Sequence, residues 1–330
     1  MKNKKYLITG GTGFIGSSLV KRLVKDGYSV RVLDNNIRGA KERLEEVYHK
    51  IEFVEADVRD ADAMRKACEG MDSIIHLAYI NGTEYFYKFP ELVLEVAVKG
   101  IMNVIDGCIK ENVKELVLAS SSEVYQAAQK IPTDENVPLT VPNPLNPRYS
   151  YGVGKIISEL LAINYGRKHF KRVLIFRPHN IYGPDMGWEH VIPQFVLRMK
   201  ELSRSSKGKN IKFPIQGTGK QTRAFCFIDD FIDGLMLVLE KGEHMNIYHI
   251  GTIEEISIEG VAEEIGKYFD KKVEIVHEKP AEGSTLRRCP DIAKLRKLGY
   301  KPKVPFKEGL KITAEWYDKN SNKPRKIKAE

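Results

Sequence analysis

The sequence predicts an α/β protein: a doubly wound parallel sheet, with a smaller α/β region C-terminal to it. Short apolar runs alternate with segments of helical spacing from Tyr6 to Pro178, as in successive βαβ units. The first run enters a cluster of glycines. After Gly183 the rhythm loosens into shorter strands and lysine-rich loops, and no internal repeat or long low-complexity tract occurs. One domain is therefore expected over residues 1–178, with 225–250 returning to it, and a second over 179–330.

The first unit spans Lys5 to Asp34. Tyr6-Leu7-Ile8 reads as a strand, and Phe14, Leu19, Leu23 and Val24 share a helical face that Gly27 ends. A second strand, Val30 to Leu33, closes on Asp34. Gly10, Gly13 and Gly16 stand three apart between strand and helix. Close approach of backbone to a pyrophosphate, and tight packing of the helix on its strand, both favour residues without a Cβ. Phe14 and Ile15 open the helix, whose free N–H groups and partial positive charge suit phosphate. Asp34, eighteen residues after Gly16, lies with Asn35 where a carboxylate would accept hydrogen bonds from an adenosine ribose. The whole is the pattern of a Rossmann dinucleotide-binding unit. A carboxylate at Asp34 repels a 2′-phosphate and favours NAD over NADP, a preference that nearby Arg38 softens.

Asn36 to Lys50 is charged with helical spacing, and Ile51 to Glu55 reads as the third strand. It ends at Asp57-Val58, which then lie beside the adenine; a helix N-cap is an equal reading of Asp57. Asp62 to Glu69 is a helix and Ser73 to Leu77 a strand, which sets Leu77, Ala78 and Tyr79 beside the pyrophosphate and ribose. Glu91 to Lys110 is a long amphipathic helix after Pro90. The strand ELVLA then runs into Ser120-Ser121-Ser122-Glu123-Val124-Tyr125. Pro132 to Pro147 is a proline-rich loop. A second long helix covers Ser150 to His169, followed by a strand at Val173 to Phe176. Beyond it, helices are expected at Val191–Leu202, Asp229–Glu240, Glu254–Phe269, Ala293–Gly299 and Phe306–Trp316. Strands are expected at Phe225–Ile228, Asn246–Ile250 and Val273–Val276. Lys207 to Lys220 reads as a loop around a short strand, and the tail after Tyr317 is expected to fray.

Composition narrows the class. The 330 residues can bury a large core. No apolar run reaches about eighteen residues and MKNKKYLITG enters a strand directly, so neither a membrane span, a signal peptide nor a membrane partner is expected. Cys68, Cys108, Cys226 and Cys289 are scattered without C-x-x-C spacing, as for free thiols in a reducing cytoplasm, and no metal is expected. The net charge of +9 comes from lysines spread along the chain without interleaved aromatics, which argues for a solvated surface and against a nucleic-acid module.

Tyr151 and Lys155 are i and i+4 in YGVGK, so on a helix phenol and ammonium share a face. A tyrosine is a poor base at its ordinary pKa of about 10. A neighbouring ammonium and a nicotinium ring both stabilise phenolate, which can then take a proton from a substrate hydroxyl. Alone the spacing is common on surfaces. Beside a nucleotide fingerprint, with a serine run thirty or so residues upstream, it points to chemistry.

The chain resembles the extended short-chain dehydrogenase/reductases that modify nucleotide sugars. The marks run through most of its length: GGTGFIG, Asp57-Val58, His76 to Ala78, SSSEVY, YGVGK, RPHNIYGP, GTGKQTRAF and RRCPDIAKLRKLGY. The resemblance implies that Ser121, three residues before Val124, hydrogen-bonds the sugar O4, with Ser122 and Glu123 beside it in the catalytic set. It makes Tyr151 the base and Lys155 the partner that binds ribose and lowers the phenol pKa. Pro178 and His179 fall near the nicotinamide, Asn180 contacts the nucleotide sugar, and Val191, Phe213 and Ile215 join the substrate side. Arg223 and Arg288 match arginines that hold the diphosphate, where two guanidinium forks suit two phosphates. A homodimer through the two long helices is implied as well.

The implied first step is oxidation of C4 to a 4-keto sugar. Return of hydride to the other face is 4-epimerisation, the leading expectation, and needs no further acid or base. Loss of CO₂ would make the enzyme a UDP-glucuronate decarboxylase, and release of the keto sugar or loss of water a 4-dehydrogenase or 4,6-dehydratase. A non-catalytic NAD-sensing protein is the alternative from another class, against which the intact Ser121, Tyr151 and Lys155 speak. The dehydratases carry Asp-Glu where this chain has Ser122-Glu123; the decarboxylases carry Ser-Glu there. Glu123 reads equally well as a structural carboxylate. Two departures stand out: Ala97 replaces the usual Asn of the helix after HLA, and Gln126 replaces the Gly after V-Y. Tyr79, Tyr85, Phe86 and Tyr87 crowd the segment between; such residues are more often local core, but they lie where a sugar would arrive.

Overall fold

The computed structural model describes residues 4–206, 208–279 and 285–322. Its first half runs β1 (Lys5–Thr9), α1 (Phe14–Lys25), β2 (Ser29–Asp34), β3 (Ile51–Glu55), α2 (Ala61–Cys68), β4 (Ser73–His76), α3 (Thr83–Lys88), α4 (Pro90–Lys110), β5 (Glu115–Ala119), α5 (Ser150–His169) and β6 (Arg172–Pro178). Then come β7 (Ile181–Tyr182), α6 (Val191–Ser205), β8 (Asn210–Gln216), β9 (Thr222–Ala224), β10 (Cys226–Phe227), α7 (Ile228–Lys241) and β11 (Asn246–Ile250). The chain closes with β12 (Glu255–Ser257), α8 (Ile258–Tyr268), β13 (Lys272–Glu278), β14 (Arg287–Arg288), α9 (Ala293–Lys297) and α10 (Phe306–Lys319).

Seven parallel strands form the main sheet in the order β11-β6-β5-β4-β1-β2-β3. All five residues of β5 are buried, because helices cover both faces of a parallel sheet. α2, α4 and α5 pack together on one face, and α1 and α7 meet on the other. The strand order reverses between β1 and β4. A crevice opens there at the carboxyl ends of the strands, the usual ligand position in an open α/β sheet. β11 arrives from 246–250 to pair with β6, after α7 has packed on that strand.

The remaining elements stand over the crevice. β8 pairs in parallel with β13, β9 is flanked by β12 and β14, and short β7 pairs with β10. Alternate residues Ile211, Phe213 and Ile215 of β8 are buried, and α6 packs on that strand. α10 closes this core against α6 and α8, with Trp316 and Tyr317 around Trp188.

Several elements differ from the spacing-based expectation. Lys41–Lys50 winds as a 3-10 helix, not an α-helix; Leu44 is its one fully buried residue, so little core holds a wider helix there. The short strand expected within Lys207–Lys220 is the seven-residue β8, whose alternation buries one face. The strand expected at Phe225–Ile228 is shorter, β10 at Cys226–Phe227, and Ile228 already begins α7. α10 continues past Tyr317 to Lys319, and the tail from 323 lies outside the described residues. No helix among the described residues is long and apolar enough to cross a membrane.

Candidate functional site

The glycine turn is built by exclusion of side chains. Gly10 has φ +74°, and a Cβ there would lie 2.7 Å from the Ala78 nitrogen; one on Gly16 would lie 2.1 Å from the Gly10 carbonyl oxygen. α1 follows with Gly13 as its N-cap, no side-chain cap and no acidic residue in its first turn. Its leading N–H groups are thus left for an anion, as a diphosphate requires. Gly16→Ala should loosen this packing by about 1–3 kcal/mol and weaken NAD at least tenfold. Fluorescence titration beside a thermal melt checks both.

The crevice beyond the glycine turn is lined by Leu33, Asp34, Asn35, Ile37, Arg38, Ala56, Asp57, Val58, Leu77, Ala78 and Tyr79. Asp34 also braces the turn: one carboxylate oxygen accepts from the Thr12 N–H (2.9 Å), the other from the Asn36 N–H (2.8 Å). Asp57 accepts from the Asn35 amide (2.8 Å) and from Arg59. It is not the helix N-cap; that is Asp60, which accepts from Asp62 and Ala63. Arg38 stands in this wall beside Asp34, and Ile37, which no sequence motif marks, joins it. Arg38 pairs with Glu189 and lies 4.6 Å from the Tyr85 ring centroid, while Arg43 pairs with Asp185 (2.9 Å). These two bridges join the β2–β3 loop to the β7–α6 loop across the crevice.

The deeper cleft continues from Gly10, Gly13, Phe14, Ile15 and Gly16 to Ser121, Ser122, Glu123, Tyr151, Lys155, Pro178, Asn180 and Arg288. β5 delivers the serines and α5 delivers Tyr151 and Lys155 one turn apart. The Tyr151 phenol stands near Ser121, whose Oγ accepts from the Glu123 N–H at 3.1 Å. Burial pushes the Tyr151 phenol up, the Ser121 hydroxyl lowers it and the Glu123 charge raises it again. Lys155 Nζ donates to the Ala119 carbonyl at 2.7 Å. Burial drives its pKa down to about 7, and Glu159 one turn further opposes that. Lys155 is thus poised near neutral pH, while the Tyr151 phenol stays protonated in the free protein.

Glu123 accepts from Arg288. Burial would raise its pKa, but Arg288, Arg148 and Arg223 outweigh burial and hold the carboxyl below its ordinary value. Arg223 faces Arg288 across β9 and β14, its guanidinium donating to the Thr222 and Thr285 carbonyls (2.7 Å each). Arg288 lines the cleft and Arg223 stands beside it on the next strand. Asn180, at φ +45°, lines the cleft and donates to the Ala224 carbonyl (3.3 Å).

Four residues are placed otherwise than the motifs implied. The His179 ring is 1% exposed and packs edge-on against His249 at 4.5 Å, so Pro178 and Asn180 line the cleft and it does not. Phe213 and Ile215 lie in the core, Phe213 against Phe195 at 5.0 Å, and Val191 is half-buried against that core at the start of α6. The alternation of β8 points its apolar residues into the core. Conversely, Phe86 stacks on Tyr151 (5.0 Å, 26°) and Tyr79 meets it edge-on (5.1 Å, 80°). Neither partner could be read from spacing, although their aromatic cluster was visible.

The model of the NAD dependent epimerase/dehydratase family matches residues 6–251. The chain belongs to this family. It is 31% identical to a UDP-N-acetyl-alpha-D-glucosaminuronate decarboxylase of Bacillus cytotoxicus, over 97% of this chain and 99% of that one. Among solved structures it is similar to the UDP-glucose 4-epimerase of Thermotoga maritima with UDP-glucose (TM-score 0.84, 27% identity, 96% of this chain and 100% of that one). It is similar also to a dTDP-glucose 4,6-dehydratase of Streptomyces venezuelae with NAD bound (TM-score 0.85, 30% identity, 98% and 100%). The family is that of extended short-chain dehydrogenase/reductases, enzymes whose cofactor is NAD. The glycine cradle, closed to any Cβ, and the uncapped α1 fit that cofactor.

Proposed function

We propose that the chain is a nucleotide-sugar 4-epimerase. When bound, NAD supplies the hydride acceptor for C4 and the donor for its return. Tyr151 takes the proton of the C4 hydroxyl, Ser121 hydrogen-bonds that oxygen, and Lys155 stabilises the phenolate by its charge. Arg288, with Arg223 beside it, offers the positive field for a diphosphate.

The observation that carries this reading is the state of Glu123. It is held as a carboxylate by Arg288, and the position before it is Ser122, which neither donates nor accepts a proton at neutral pH. Elimination of water across C5–C6 requires a second acid and base. Epimerisation does not. A UDP-glucuronate decarboxylase is the second reading, favoured by Ser122-Glu123 and by the excess of Arg148, Arg223 and Arg288 over one carboxylate, which suits a substrate with a carboxylate besides its diphosphate.

Purified protein with NAD and a panel of UDP-, GDP-, CDP- and dTDP-sugars, followed by NMR, tests the proposal. A C4 epimer supports it. A pentose with CO₂ replaces it by the decarboxylase, and a released 4-keto sugar by a dehydrogenase or dehydratase. We infer a homodimer through α4 and α5 as the working form, since Leu160 on α5 is 55% exposed; light scattering at micromolar concentration should give twice the chain mass.

A further inference from the structure

Tyr79 leaves the end of β4 and lines both the crevice beyond the glycine turn and the deeper cleft. Its ring centroid lies 3.7 Å from Lys155 Nζ, a face-on approach to the ammonium, and its edge meets the Tyr151 ring. The phenol oxygen is 3.4 Å from the Tyr151 carbonyl, to which it donates. That phenol fills a slot between α4 and α5. A Cβ on Gly154 would stand 2.1 Å from the Tyr79 oxygen and 2.7 Å from the Ala97 Cβ. Two features that looked separate in the sequence are therefore one: Ala97, where an Asn was expected, and a tyrosine after His76-Leu77-Ala78. A small residue on each helix makes room for one large ring.

We propose that Tyr79 is a positioning residue of the reacting centre, its ring face holding the Lys155 ammonium charged and in line with Tyr151. The proposal rests on reading Tyr151 and Lys155 as the reacting pair. Lys155 has one neutral hydrogen-bond acceptor, Ala119 O, and its site is nearly dry. Removing water from an ammonium disfavours its charge, and an aromatic face restores part of that loss, more so where the pair is desolvated. The other titratable groups around Lys155 are Glu159 on its own helix, which supports the charge, and His76 from β4 and Tyr151. The His76 ring is kept neutral by burial and accepts or donates only to Thr9 Oγ1, at 2.8 Å, among the described residues. Among the described residues, none of these groups is a second cation set against Lys155.

The test is the titration of Lys155 in the full chain with NAD bound and no sugar, read from the ¹³Cε shift of labelled lysine and assigned by its loss in Lys155→Met. Tyr79→Leu should lower the midpoint by about one pH unit. Tyr79→Phe, which keeps the face and drops the hydroxyl, should leave it in place. Ala97→Asn, which crowds the phenol out of its slot, should lower it as Tyr79→Leu does and serves if that variant does not fold. In sugar turnover, the basic limb of the pH–rate profile should move with the titration in each variant. An unmoved midpoint in Tyr79→Leu, or an equal fall in Tyr79→Phe, overturns the proposal and leaves Tyr79 as packing. If no nucleotide sugar is turned over, the functional reading fails while the titration still decides this one.

Discussion

Tyr151→Phe should lower turnover of the nucleotide sugar about 10³-fold, roughly 4 kcal/mol of transition-state stabilisation, and leave NAD affinity within a factor of two or so. The substitution removes one oxygen and keeps the ring that Phe86 stacks on and Tyr79 meets edge-on. Packing should survive. On the proposed reading, what is lost is the phenol that would take the C4 proton beside Ser121. Burial holds that phenol neutral in the free protein, so its ionisation depends on Lys155 and on charge brought by the bound cofactor. NAD titration and single-turnover measurements on one preparation separate the two effects. A variant that keeps NAD and loses chemistry marks an enzyme. One that keeps a NAD-dependent partner, with no chemistry lost, marks a sensor and sinks the proposed function.

What the sequence revealed and what it hid follow from the reach of local rules. The glycine spacing, the run into Asp34 and the Tyr151–Lys155 step all lie within one βαβ unit or one helical turn, where backbone geometry ties spacing to position. The bridges from Arg38 to Glu189 and from Arg43 to Asp185 join loops far apart in sequence, and no local pattern encodes which carboxylate meets which arginine. The same holds for Tyr79 against Ala97 and Gly154, which are brought together only when α4 and α5 pack. Phe213 and Ile215 show the opposite failure. A motif drew them toward the substrate, whereas their alternation in β8 places them in the core. His179 fails for a related reason: Pro178 ends β6, so the strand's alternation no longer says where the next ring points.

Behind the cleft lies the second large effect. Arg177 on β6 and Glu159 on α5 form a forked pair at 2.8 and 2.6 Å, both side chains 2% exposed. Arg177 also donates to the Tyr125 hydroxyl, which shares a 2.7 Å hydrogen bond with His249. Arg177→Met should destabilise the protein by about 3–5 kcal/mol, because it strips a buried carboxylate of its hydrogen-bonded ion-pair partner. The pair itself is worth far less than its rupture costs. Arg177→Met combined with Glu159→Leu removes both charges and should recover most of the lost stability. Glu159 is one turn beyond Lys155 and supports its charge, so the double variant should remain folded yet lower the Lys155 titration midpoint. Urea denaturation of the three proteins decides the matter. Equal midpoints for wild type and Arg177→Met would show that the carboxylate finds water or a proton at little cost, and a double variant no better than the single would show that the fork holds β6 to α5 by its geometry.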